Sequence, residues 1–404
     1  MKKILYKELI SSIKTPFYVF DERGFISNYE ALQKAMRAVY PKYTIAYSYK
    51  TNYTPYICEL VKRLGGYAEV VSDMEYTLAK KLGYSNDRIV YNGPAKGECL
   101  DMHLLQGGLI NIDSLDEAKR VKQLAKDNPS HLFKVGFRIN LDIGENFISR
   151  FGMSPDSEEL DEAIKRLNNC ANLQIVGVHG HISRSRSLEA WARRAEIMLD
   201  AADKYINGIP EYISLGSGMF ADMPDELKAQ FGDVPTYEDY ARVTMQPFAN
   251  RYKDTQPIVF TEPGTTIVAR YLDFITRILS IKKIRGRYMA TMDGSYENLG
   301  EICTLKKLPI KVVKSHNGKH YNSIDIVGYT CLEQDIMYSG YSGKLGTGDV
   351  LVFENVGGYS IVSKPQFILP NCSMVAYESD GTVKEIMRHE TFDDVFSKFV
   401  FSEN

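Results

Sequence analysis

Lys50 stands in Thr44-Ile-Ala-Tyr-Ser-Tyr-Lys50-Thr-Asn52, where an apolar, β-prone run gives way to a polar turn. An amine at a strand's C-terminal end emerges where a barrel enzyme keeps its chemistry, and an amine there can attack a carbonyl carbon. His179-Gly-His181 puts two imidazoles on one face of a strand, because side chains alternate with period two. A metal centre of the kind barrel hydrolases use needs further histidines and a carboxylate from later strands. Only His316, His320 and His389 follow, all beyond the barrel, so a ring stacked on a planar cofactor is the better use for one imidazole. Leu215-Gly-Ser-Gly218 offers backbone N–H groups freed by glycine, a common way to hold phosphate at this end of a barrel. An amine, a stacking imidazole and a phosphate loop together fit pyridoxal 5'-phosphate.

These groups need elements that bring them to one rim. Short β-prone runs at 44–49, 68–71, 88–91, 109–112, 134–139, 175–179, 212–215 and 258–261 alternate with amphipathic segments such as 56–64, 73–82, 114–125 and 187–205. Ser72 with Glu75, and Ser114 with Glu117, have capping-box spacing. Eight strands with crossover helices predict an α/β fold, a (β/α)8 TIM barrel. The open doubly wound sheet is the alternative, but its Gly-x-Gly-x-x-Gly turn after a first strand is missing. In the barrel reading Lys50, Ser72, Asn92, Arg138 with Asn140, His181, Gly216 with Gly218, and Glu262 all fall at one end. After about residue 281 the texture becomes alternating β-type segments at 308–314, 321–327, 349–353 and 359–362, the mark of a second, all-β domain. The run 16–20 precedes the barrel and suits that second domain. The expected division is therefore a barrel over 25–280, and a discontinuous β domain made of 1–24 with 281–404.

Composition sets limits on partners. The 404 residues exceed what one core normally organises, and a net charge of -2 provides no basic field for a nucleic-acid backbone. The expected partner is a small molecule or another protein. The N-terminus mixes charges into its apolar residues too early for a signal peptide, and no run approaches the roughly 20 apolar residues of a membrane span, so a cytoplasmic protein is expected. The six cysteines are scattered with no Cys-x-x-Cys pair, which suggests neither a zinc knuckle nor a disulfide framework.

A set of motifs then resembles a known family. Thr15-Pro-Phe-Tyr-Val, Lys50-Thr-Asn52, Val71-Ser72 with Glu75, Arg150-Phe-Gly152, Val178-His-Gly-His181, Gly216-Ser-Gly218, Glu262-Pro-Gly264, Cys331 with Asp335, and Gly357-Gly-Tyr359 look like the ordered motifs of fold-type III pyridoxal-phosphate decarboxylases, among them the diaminopimelate and ornithine decarboxylases. The resemblance implies that Lys50 carries the cofactor through its amine and that His181 stacks on the pyridine face. It further implies that Gly216, Ser217 and Gly218 hold the phosphate, with Gly264 near the cofactor and Tyr359 adding a phosphate or rim contact. Glu262 would pair with the protonated ring nitrogen, which keeps the ring cationic as an electron sink; racemases of this fold place arginine there. Cys331 would return a proton to the α-carbon from a second subunit, and Asp335 would pair with Arg150 across the interface of a homodimer with shared sites. Glu69 joins this group of substrate-side and interface residues.

Departures from the pattern concern the substrate. Diaminopimelate decarboxylases have arginine directly after Glu-Pro-Gly, where this chain has Thr265, and a second expected arginine is missing around 298–308, where Lys306 and Lys307 are the basic residues. Arginine recognises a carboxylate with two parallel bonds that threonine cannot supply. The acidic residue expected after the cysteine is Leu332, with Glu333 one place later. His181-Ile-Ser-Arg184 replaces a usual Gly-Ser-Gln, which puts Arg184 at the rim as a substitute phosphate or carboxylate contact. The expected activity is decarboxylation of a modified or carrier-linked amino acid. The alternatives are a racemase or epimerase on the same fold, or decarboxylation of diaminopimelate, ornithine, lysine or carboxynorspermidine.

Overall fold

The computed structural model describes residues 5–144, 148–183, 185–253, 255–314 and 318–402. The chain forms two compact units. One comprises Tyr29–Phe220 with Val234–Thr266; the other comprises Met1–Asn28, Ala221–Asp233 and Ile267–Asn404.

A first strand, β1 (Phe17–Asp21), belongs to the second unit. The next eight build the first: β2 (Tyr43–Ser48), β3 (Tyr67–Val70), β4 (Ile89–Tyr91), β5 (Leu109–Ile112), β6 (Phe133–Ile139), β7 (Leu173–Gly180), β8 (Tyr212–Ser214) and β9 (Ile258–Thr261). They pair in parallel in chain order, and β9 closes on β2, giving the expected TIM barrel. Each strand starts and ends within two residues of its expected position.

Period-two alternation builds the barrel interior in layers. Ala46, Val90, Tyr212 and Phe260 pack together as a buried apolar cluster. Two residues further along the same strands or just past their ends come Ser48, Asn92, Ser214 and Glu262, all buried and polar. Tyr212 fits because β6 and β7 carry glycine opposite it: a Cβ at Gly177 would lie 2.2 Å from its ring. The sequence therefore places an apolar floor beneath a polar ring at the C-terminal mouth.

The crossover helices start where their caps predict. Ser72 and Ser114 accept the backbone N–H of Glu75 and Glu117 at helices Asp73–Lys81 and Leu115–Asp127. The two glutamates do not complete a box on the cap residue itself; each accepts from the residue before it, Val71 and Asp113, at 2.8 and 2.7 Å.

In the second unit β10 (Leu272–Ile284), β11 (Arg287–Met292), β12 (Ile310–Lys314), β13 (Lys319–Val327), β14 (Ile336–Leu345), β15 (Val350–Phe353), β16 (Ser373–Tyr377) and β17 (Val383–Met387) join β1 in one sheet. Its main path runs β14-β13-β11-β10-β1-β16-β17. Phe17, Val19, Ile275, Val350, Val352, Val375 and Tyr377 form a core on one face of it.

Two expectations need correction. The second unit resumes at Ile267 rather than 281, because β10 opens as a fully buried run without alternation, and such a run does not distinguish strand from helix by period. The segment 359–362 is not a strand: Tyr359 has φ 60° and the Ser360 hydroxyl turns back to donate to the Val356 carbonyl. A left-handed residue interrupts the pleat.

Ser72→Ala and Ser114→Ala each remove one cap acceptor, and each is expected to lower unfolding free energy by about 1 kcal/mol. Urea titration of the single and double variants should show the two losses adding, since the helices are separate.

Candidate active site

Lys50 sits in a single turn, Tyr49–Thr51, directly after β2. Its Nζ donates to Ser48 Oγ and to Glu69 Oε2, both at 2.7 Å, and the Ser48 hydroxyl donates to the same carboxylate oxygen at 2.5 Å. Glu69 is buried while the lysine side chain is about one-third exposed. The amine is thus held against a buried, hydrogen-bonded carboxylate at the end of β2.

A hydrogen-bonded chain crosses the barrel mouth from there. The Asn92 amide donates to Glu69 Oε1 at 3.1 Å and to Glu262 Oε1 at 3.0 Å. It accepts from Asn111 at 2.8 Å, whose own oxygen takes the Tyr212 hydroxyl at 2.8 Å. Glu262 also receives the Ser214 hydroxyl at 2.7 Å and His179 Nε2 at 3.1 Å. Burial by itself would push this carboxyl up, and removing an unpaired carboxylate from water costs several kcal/mol. The charge and hydrogen bond of His179, with the Lys50 charge, outweigh burial and hold Glu262 well below the usual carboxylate range. Among the described residues its Oε2 has a single donor in His179, which leaves a lone pair for a further one.

His181 differs from its neighbour. Its Nδ1 accepts the Ser217 N–H at 3.0 Å, so its proton belongs on Nε2. Burial first, and then the Lys50 charge, push it well below the usual imidazole range. It is a neutral ring, suited to stacking. His179 and His181 therefore have separate partners, Glu262 and Ser217.

The loop after β8 passes close behind that ring. Gly216 and Gly218 have φ of 61° and 114°, conformations that side chains other than glycine rarely take. A Cβ on Gly216 would stand 2.6 Å from His181, and one on Gly218 would stand 2.9 Å from the Ile182 carbonyl. Gly264 backs onto Thr51, the residue after Lys50, closer than any side chain allows. A partly exposed lysine side chain, an ionised carboxylate, a neutral ring and a glycine cradle fit pyridoxal phosphate.

The remaining candidates fall elsewhere. Arg184 lies outside the described residues. Arg150 is exposed, its guanidinium 4.1 Å from the Phe151 ring centre, on a loop that Asn140 holds through the carbonyls of Ser149 and Phe151. In the second unit Cys331 and Glu333 are exposed, and Tyr359 is partly exposed in its loop. Asp335 is not an open surface charge. It is buried, with Oδ1 accepting from Tyr296 N at 2.9 Å and Oδ2 from the Thr330 amide and hydroxyl at 3.1 and 2.6 Å. It braces the loop that carries Cys331.

Sequence reading missed Ser48, Asn111, Ser214 and Arg194, and did not assign His179 its carboxylate partner. Polar residues at inward positions of otherwise apolar strands were the available signal for the first three. Arg194, the charged residue on the buried stripe of its helix, carried the same kind of signal.

The sequence of residues 26–269 matches the family model described as pyridoxal-dependent decarboxylase, pyridoxal binding domain. The chain belongs to the pyridoxal-dependent decarboxylases. It is thus a pyridoxal-phosphate-dependent amino-acid decarboxylase, a carbon–carbon lyase. Among its relatives are diaminopimelate decarboxylases of Methanothermobacter thermautotrophicus, 24% identical over 96% of this chain and 92% of the relative, and of Helicobacter pylori, 26% identical over 97% of each. The fold is shared with the M. jannaschii diaminopimelate decarboxylase solved with L-lysine, at TM-score 0.85 and 24% identity over 98% of this chain and 94% of that one. Among the described residues no helix is long and apolar enough to cross a membrane.

Glu75 tests the electrostatics of this decarboxylase's rim. Burial, with the charge of Glu69, raises its carboxyl from 4.5 to about 7 against the opposing Val71 amide and Lys50. The folded chain then binds this proton more tightly than the unfolded chain does. Its contribution to stability is complete below pH 4.5 and is lost as pH rises toward about 7. Glu75→Gln should flatten the fall in Tm across that window; an unchanged slope would assign the pH dependence to other groups.

Proposed function

We propose that this decarboxylase removes the α-carboxylate of an amino acid whose distal end differs from that of diaminopimelate, a modified one or one carried on a larger molecule. Thr265 carries this reading: where the resembling enzymes have a carboxylate-binding arginine, this chain opens the short helix Thr265–Val268 with a hydroxyl. Leu332, in place of an acidic residue after Cys331, supports it, because a simple distal ammonium would lack its counter-charge. Glu333, one residue on and exposed, is the group available to substitute.

Pyridoxal phosphate, when bound, supplies an electron sink for the pair left at the α-carbon as CO2 departs. Lys50 would hold it through the amine that Glu69 and Ser48 orient. Glu262, kept ionised by His179, would keep a proton on the ring nitrogen through Oε2, which is the charge state that favours loss of CO2. His181 would cover one ring face, and the amides of Gly216 and Gly218, with Tyr359, would face the phosphate, while the expected Ser217 amide is instead held on His181 Nδ1. The Cys331 thiol would deliver the proton that replaces CO2 on the α-carbon, reaching the site of a second copy in a homodimer. Asp335 would keep that loop in shape, and its Oδ1, with one donor among the described residues, would take Arg150 of the partner subunit.

Purified protein with added pyridoxal phosphate should show a visible absorbance band that Lys50→Ala abolishes. CO2 should be released from one member of a panel of diaminopimelate, ornithine, lysine, carboxynorspermidine and N-substituted or carrier-linked amino acids. Release from diaminopimelate alone would overturn the substrate reading, while solvent-deuterium exchange without CO2 would point to racemisation.

Lys50→Ala and Cys331→Ala, each inactive, should recover about a quarter of wild-type activity after mixed refolding. Random pairing makes half the dimers mixed, each with one intact site. Proven mixed dimers without activity would exclude a site built from both subunits.

A further inference from the structure

Helix Leu188–Tyr205 buries Trp191, Arg194, Ala195, Met198, Leu199 and Ala202 against the barrel, and Arg194 is the charged residue among them. Its guanidinium lies 4.1 Å from the Trp191 ring centre. Nη1 donates to the carbonyls of Leu215 and Ser217 at 2.9 and 2.7 Å, and Nη2 donates to that of Ile182 at 2.8 Å. Among the described residues no carboxylate forms an ion pair with it, and burial pushes it down to about 9. A fully buried cation whose hydrogen bonds go to neutral carbonyls is costly, and the Glu262 charge offsets only part of that cost, so positive charge stands behind the glycine loop.

Planarity of the peptide turns these three bonds into an orientation. In a trans peptide the carbonyl and the following N–H point in opposite directions. Holding the carbonyls of Ile182, Leu215 and Ser217 on the guanidinium therefore turns the amides of Ser183, Gly216 and Gly218 away from it. The intervening peptide is pinned the other way, with the Gly216 carbonyl accepting from Glu262 N at 2.8 Å and the Ser217 amide donating to His181. Gly216 N–H has the Ser214 hydroxyl at 3.5 Å, and among the described residues the amides of Ser183 and Gly218 have no partner. Amides oriented together in this way form a nest for an anion.

We infer that Arg194 is a positioning residue for the cofactor's phosphate: it fastens two separate loops by their carbonyls so that their amides converge on the phosphate, and its charge stands behind them. The inference rests on the reading that this loop holds pyridoxal phosphate. It differs from the rim role expected for Arg184, because Arg194 is fully buried and binds backbone oxygen.

The test compares the affinities of wild-type, Arg194→Met and Arg194→Lys apo-protein for pyridoxal phosphate and for pyridoxal, which has the same ring and aldehyde but no phosphate. Arg194→Met should weaken pyridoxal phosphate roughly 10- to 100-fold, with pyridoxal changed by less than about threefold. Arg194→Lys, which keeps the charge but loses the fork, should fall between, and it decides the matter if the methionine variant does not fold. Equal weakening of both ligands would assign Arg194 a general packing role, and unchanged affinity for both would remove it from the site; either overturns the inference. A wild-type protein that binds neither ligand would instead sink the cofactor reading on which the inference depends.

Discussion

A carboxylate buried at the mouth of a barrel must be matched by donors, and Glu262 sets that requirement for this site. It stands on the layer of inward positions two residues above the apolar floor, where water is excluded and an unpaired charge is most costly. His179, Ser214 and Asn92 come from three other strand ends to satisfy it. Asn92 then shares its amide with Glu69, and Glu69 takes the amine of Lys50. The positions of the lysine and the carboxylate are thereby linked through a single side chain. Neither end of the site can shift without leaving a buried polar group unsatisfied, which fixes the spacing between an amine and a ring-nitrogen partner before any cofactor arrives.

The same economy of donors separates the two histidines. They leave β7 two residues apart, yet Glu262 takes one and the Ser217 amide takes the other. One is thereby committed to a carboxylate and the other to a neutral aromatic surface. The glycines of the following loop are dictated by this arrangement, because His181 fills the space their side chains would need. Arg194 works from behind the loop on its carbonyls, so the amide pattern in front does not depend on glycine flexibility alone.

In the second unit a buried acid is again satisfied by N–H and O–H groups of its own chain. Asp335 ties the turn at Tyr296 to the segment from Thr330, and Cys331 sits exposed within the loop so formed. The family resemblance implied a role for Asp335 as the partner of an arginine, whereas its burial makes it first a structural brace.

Much of this was legible in the chain itself. Alternation of period two, broken by turns and followed by helical period, placed all eight barrel strands, because inward and outward faces meet opposite environments and composition records that difference. Lys50, His181, Glu262 and the glycine loop were readable because each falls at a strand end. The beginning of β10 was not, since a strand buried on both faces has no period to betray it, and 359–362 looked like a strand because φ is not written in residue type. Side-chain partners were beyond reach for a similar reason. Ser48, Asn92, Asn111 and Ser214 come together only when the closed barrel brings distant strand ends to one ring, and Arg194 reaches its three carbonyls only when its helix packs beneath two loops. The sequence by itself determined which residues face inward and where each strand stops; tertiary structure alone decided which of those inward groups share a proton, because hydrogen bonds depend on distances of a few tenths of an ångström that closure of the barrel sets.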